Sequence, residues 1–113
     1  MSQEHIIDQK IIDDLIDLMG VDFIRELVDA FCEETPQLMT ELRRALDGSD
    51  ANTFRRLAHS IKSSSASLGA LHFSSLAREL ESSGKQEQLT GLEPALDHLQ
   101  VVYQQVEHAL RQF

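Results

Sequence analysis

One stretch of the chain combines a nucleophile, a cation and a run of very small side chains: Ala58-His59-Ser60-Ile61-Lys62-Ser63-Ser64-Ser65-Ala66-Ser67-Leu68-Gly69-Ala70. A neutral imidazole can attack phosphorus and hold a phosphoryl group on a ring nitrogen. At its unperturbed pKa of about 6.5 an imidazole is mostly neutral at pH 7, so His59 needs no special activation for that step. The acquired group brings about two negative charges, which a lysine one turn along a helix can balance. The small residues that follow leave space for another protein to deliver and collect the group.

For this chemistry His59 must be exposed, and the helical pattern places it so. Phe54, Leu57, Ile61 and Leu68 recur at helical spacing and define an apolar stripe that faces a core. At about 100° per residue, His59 lies about 160° from Ile61, nearly opposite the buried side. Arg55, Lys62 and Ser63 stand one turn before or after it, and Asn52, Arg56 and Ala66 fall on the same outward half. The histidine is expected on an open face with positive charge close by.

This segment resembles the signature of the histidine-containing phosphotransfer (HPt) family, in which Ala-His-x-(Leu/Ile)-Lys-Gly precedes a run of small residues and a Leu-Gly. Ala58, His59, Ile61, Lys62, Ser64, Ser65, Leu68, Gly69 and Ala70 match in register. The family's glycine after the lysine is Ser63 here, which crowds the approach to the imidazole slightly and brings a hydroxyl near it. The resemblance implies a phosphorelay intermediate. His59 would accept a phosphoryl group from a receiver-domain aspartate, of a hybrid kinase or a response regulator, and pass it to another receiver aspartate. It further implies that Lys62 stabilises the phosphoryl charge and that Glu81, on the following helix, orients the ring. Receiver docking is expected over Asn52, Arg55, Arg56, Ser63 and Ala66, with apolar contacts from the first helix. The Mg²⁺ of the transfer is expected on the receiver, with no cofactor held by this chain.

Composition sets the outer bounds. The 113 residues suit one domain, 1–113, with a single hydrophobic core. No apolar run approaches a membrane span, and Met1 leads into polar residues rather than a signal peptide, so a cytoplasmic monomer is expected. The lone cysteine, Cys32, cannot form an internal disulfide and reads as a small packing residue. A net charge of −9 disfavours nucleic acid and anionic membranes as partners. The acid is concentrated before residue 51, whereas residues 51–80 carry Arg55, Arg56, Lys62 and Arg78 against Glu79 alone. The candidate site is a basic island on an acidic protein.

Five helical segments and no strand can be read. They span about 7–19, 22–47, the His59 segment from an Asp50 cap to Gly69, 71–83 with Gly84 as stop, and 91–112. Pro36 should kink or split the second. Thr90 and Glu93 have capping-box spacing before Pro94. Leu71, Phe73, Leu76 and Leu80 are placed inward on the fourth segment, and Leu92, Leu96, Leu99, Val102, Val106 and Leu110 on the fifth. Short connections between long amphipathic helices make neighbours antiparallel. The expected fold is all-α: an up-and-down four-helix bundle with a short additional N-terminal helix, which is also the architecture of HPt domains.

Three other readings compete. A di-iron bundle needs Glu-x-x-His pairs, and none occurs. An autonomous histidine kinase needs a nucleotide-binding domain, and no Gly-rich phosphate loop is found. His-Ser-Ile-Lys also resembles the first domain of chemotaxis-type kinases, which would require a kinase domain elsewhere. A non-catalytic helical adaptor, its histidine incidental, is the alternative left standing. His5, His72, His98 and His108 lack comparable surroundings and read as surface residues.

Overall fold

The computed structural model describes residues 6–112 and contains, among them, five α-helices and no strand. They are α1 (Gln9–Met19), α2 (Val21–Asp47), α3 (Ala51–Ser67), α4 (Leu71–Lys85) and α5 (Glu93–Leu110). α2 packs on α3, α3 on α4, α4 on α5, and α5 closes the ring against α2, while α1 lies against α2. This is the four-helix bundle with an extra N-terminal helix. Phe54, Phe73, Ile24, Leu42, Ile61, Leu99 and Val106 fill its centre.

Asp50 caps α3 as expected: its carboxylate accepts from the Thr53 amide at 3.1 Å, and Thr53, through its side chain first and its amide second, holds it below the usual carboxylate range. Asp8 caps α1 in the same way through Lys10. Its own amide donates 2.8 Å to the Gly69 carbonyl, clipping α1 to the turn between α3 and α4. Gly69 sits at φ +79°, and a Cβ there would lie 3.0 Å from the Asp8 oxygen, so the turn and the clip both require glycine.

Several boundaries differ from expectation. α2 starts at Val21 with Gly20 in the cap position, and Asp22 falls in the first turn, where the helix dipole favours its charge. α2 runs unsplit through Pro36. Proline has no N–H to offer the Cys32 carbonyl one turn back, and the Tyr103 hydroxyl of α5 donates to that oxygen instead, at 3.1 Å. Gly84 lies within the last turn of α4 rather than stopping it. A Cβ there would stand 3.0 Å from Cα and Cβ of Arg55, so Gly84 marks a close crossing with α3. At α5 no capping box forms: Leu92, with no side-chain acceptor, occupies the cap position.

The inward positions hold with one reversal. Leu71, in the first turn of α4, is 47% exposed among the described residues. Leu57, Leu76 and Leu92 are half-buried against the core. Cys32 is buried, and desolvation raises its thiol pKa, in keeping with a packing role. At the α1–α2 corner Leu18, Met19, Val21, Phe23 and Leu27 remain exposed.

Candidate functional site

His59 projects from the middle of α3 with 55% of its side chain exposed. Beneath it lies Glu81 of α4, whose side chain is only 6% exposed. One carboxylate oxygen, Oε2, is 2.7 Å from His59 Nδ1, and the other, Oε1, accepts from Lys62 Nζ at 2.6 Å. A single buried carboxylate therefore holds both the imidazole and the lysine. The Lys62 bond, chiefly, and the His59 bond keep Glu81 below the ordinary carboxylate range despite the opposing effect of burial.

The chemistry follows from what each atom can do. An ionised carboxylate accepts and cannot donate. In the neutral ring, Nδ1 of His59 therefore carries the proton and Nε2 the lone pair. The ring is fixed in tautomer and orientation with its nucleophilic nitrogen outward. Such an arrangement can take a group in line from an incoming partner and needs no base of its own.

The two helices approach closely because their facing residues are small. Ala58 and Ser65 of α3 meet Ser74, Ala77 and Gly84 of α4, all buried. The Ser74 hydroxyl donates to the Lys62 carbonyl at 2.8 Å, pinning α4 to the turn that carries the lysine. Gly84, one turn beyond Glu81, removes the side chain that would wedge α4 away from Arg55.

The remaining predicted residues surround this centre unevenly. Asn52, Arg56 and Ser63 are exposed, while Arg55 and Ala66 are partly covered. The Arg55 guanidinium donates to Asn52 Oδ1 at 3.0 Å rather than pointing at the imidazole. Lys62, expected on the open face, is 27% exposed and turned inward to Glu81. Glu81 is the residue whose environment the sequence represented least well, since a glutamate on an amphipathic helix ordinarily reads as solvated. Its position in the small-residue series Ser74, Ala77, Glu81, Gly84, at spacings of three and four, is the pattern that marks a buried contact. Alongside, Leu27 and Ala30 of α2 form an apolar groove with Ser64 and Ser67 of α3, continuous in sequence with the exposed α1–α2 corner.

The other histidines stay outside the site. His72 and His98 are exposed, their rings edge to face at 6.4 Å, and His108 is exposed on α5. His5 lies outside the described residues. Among the described residues no group of three or more His, Cys, Asp or Glu is placed to hold a metal ion, and no helix is long and apolar enough to cross a membrane.

Residues 26–110 match the model of the Hpt domain. The chain belongs to the Hpt domain family. The match takes in the whole of the α3–α4 site and of α5 and most of α2, leaving α1 and the start of α2 outside it. Among solved structures, the fold is similar to that of histidine-containing phosphotransfer protein B (HptB) from Pseudomonas aeruginosa PAO1. The TM-score is 0.88 at 24% identity, over 95% of this chain and 92% of that one. No curated protein matches the chain. The Hpt domain is a phosphotransfer carrier of phosphorelays and works with receiver domains, which makes this chain a histidine-containing phosphorelay intermediate.

Proposed function

We propose that His59 is the phosphoacceptor, taking the phosphoryl group on Nε2 from the aspartyl phosphate of a receiver domain and returning it to the aspartate of another. The observation that carries this reading is the 2.7 Å bond from Nδ1 to the buried Glu81 carboxylate on a side chain that is 55% exposed, so that in the neutral ring the lone pair is on Nε2. In the forward step the Nε2 lone pair forms the P–N bond, and the P–O electrons return to the aspartate carboxylate. In the reverse step the P–N electrons return to Nε2.

Glu81 orients the ring, and Lys62, held within reach of the same carboxylate, supplies positive charge against the transferred group. The receiver brings the Mg²⁺, and the chain has no kinase activity of its own. Docking uses Asn52, Arg55, Arg56, Ser63 and Ala66, with apolar support from the exposed Leu18, Phe23 and Leu27. A basic rim beside an apolar ledge suits the acidic active-site edge of a receiver. The contact is transient, as a relay must release its partner. The protein works as a one-domain cytoplasmic monomer.

The test is transfer from a panel of phosphorylated receiver domains to the wild-type chain and to His59→Gln. The expected result is an acid-labile, base-stable label on the wild type and none on the variant. The variant should melt within about 1 kcal/mol of the wild type, because the glutamine amide can still donate to the buried Glu81 carboxylate. A folded wild-type chain that takes no label from any receiver, with Mg²⁺ present, would leave a helical adaptor in place of a carrier.

A further inference from the structure

We propose that Glu81 does more than orient the ring: it obliges Nδ1 to keep its proton after His59 is phosphorylated, so the phosphoryl group is carried in its readily transferred form. This rests on His59 being the acceptor.

The argument begins with the two partners a ring nitrogen can have. A glutamine at position 81 could turn either its oxygen or its NH₂ toward Nδ1 and would satisfy a protonated or a bare nitrogen equally. The carboxylate of Glu81 offers only acceptors. With P on Nε2 and Nδ1 deprotonated, two lone pairs would face each other at the observed 2.7 Å inside a site where Glu81 is almost fully enclosed. That state is disfavoured electrostatically and leaves a buried acceptor unpaired. The carboxylate cannot relieve the conflict by swinging into solvent, because Lys62 holds its other oxygen at 2.6 Å.

A proton on Nδ1 changes the leaving group. When a receiver carboxylate attacks phosphorus, the P–Nε2 bond breaks and its electron pair returns to Nε2. With Nδ1 already protonated, the departing ring is a neutral imidazole, and no proton has to move during the step. From a bare ring the departing group would be an imidazolate anion, a far poorer leaving group. Glu81 thereby shortens the life of the phosphohistidine and speeds its handover. Lys62 acts the other way, because it draws off part of the carboxylate's charge.

The other charges near this carboxylate leave the balance to these three residues. On α4, Arg78 and Lys85 stand one turn to either side of Glu81 and are exposed. On α3, Arg55 is bonded to Asn52. From α2, Glu34 lines the groove further along, at Ser64 and Ser67, and Arg43 pairs with Asp97 of α5.

The experiment uses the full chain, phosphorylated chemically with phosphoramidate, in wild-type, Glu81→Gln and Lys62→Met forms. Ring protonation of phospho-His59 is followed by ¹H–¹⁵N NMR across pH, and loss of phosphate by ³¹P NMR. Relative to wild type, the ring of Glu81→Gln should lose its Nδ1 proton about one pH unit or more lower. It should also release phosphate at pH 8 at least several-fold more slowly. Lys62→Met should shift the ring titration in the opposite direction, and Lys62→Met combined with Glu81→Gln should lose the Nδ1 proton at lower pH than Lys62→Met alone, which a merely structural role for Glu81 does not produce. Phosphate on His59 with the same ring titration in wild type and Glu81→Gln would overturn this inference alone. Failure of wild-type His59 to hold phosphate at all would overturn the acceptor assignment with it.

Discussion

Glu81 in the α3–α4 seam and Tyr103 in the α2–α5 seam are both polar side chains buried between helices, and they serve opposite ends. Tyr103 donates to a carbonyl that Pro36 leaves without its helical partner, so both members of the pair are enclosed and the bond serves the fold. Glu81 accepts from His59, which is largely exposed, and from Lys62, which it draws inward, and under the proposed function its burial fixes atoms that meet another molecule. A buried polar group with a buried partner repairs the backbone. A buried charge whose partners lie at the surface sets up a reaction.

The sharpest way to break this contrast is to separate the helices of the reactive seam. Gly84→Val places a branched side chain where even a Cβ would stand 3.0 Å from Arg55. It should lower stability by about 2–3 kcal/mol and, by displacing Glu81 one turn away, slow transfer as well. Equal melting curves in the variant and the wild type would show that the close approach is not needed. Next in size, Tyr103→Phe leaves the Cys32 carbonyl without its donor. A loss of about 1–3 kcal/mol in chemical denaturation is expected, with the transfer rate per folded molecule unchanged. A fall in that rate would mean the two seams are not independent. The smallest effect belongs to Ser63→Gly, which restores the residue usual in the family. The added helix flexibility should cost about 0.5–1 kcal/mol, while transfer from a receiver quickens within about one order of magnitude. Stopped-flow transfer kinetics would decide it, and a slower variant would show that the Ser63 hydroxyl assists rather than crowds.

Much of this arrangement was legible in the sequence, and the parts that were not share a cause. Helical periodicity and the Asp50 cap located α3, and the angle between His59 and Ile61 put the histidine outside. Those are local properties, carried by residues within a few turns of each other. Glu81 was matched to the right place by family resemblance, yet its enclosure depends on how closely α4 approaches α3, which Gly84 and Ser74 decide across the seam. Lys62 was expected beside the open imidazole because helical spacing puts it there; a carboxylate 19 residues away turns it inward. Pro36 was expected to disturb α2, since its missing donor is plain from the sequence. The hydroxyl that compensates for it lies 71 residues from the orphaned carbonyl and could not be foreseen. Leu71 follows the inward pattern in the sequence but sits in the first turn of α4, where it stays 47% exposed.

The chain contains one tyrosine and no tryptophan, and that tyrosine is the one sealed between α2 and α5, with its ring 6.1 Å from Phe31 and 6.0 Å from Phe73. Its intrinsic fluorescence therefore reports on the packing of the structural seam. Burial holds the phenol well above its ordinary range, so in an alkaline titration the ultraviolet band of tyrosinate would rise only as the helices part. One spectrophotometer could then follow the opening of the bundle while radiolabel or NMR follows the phosphoryl group.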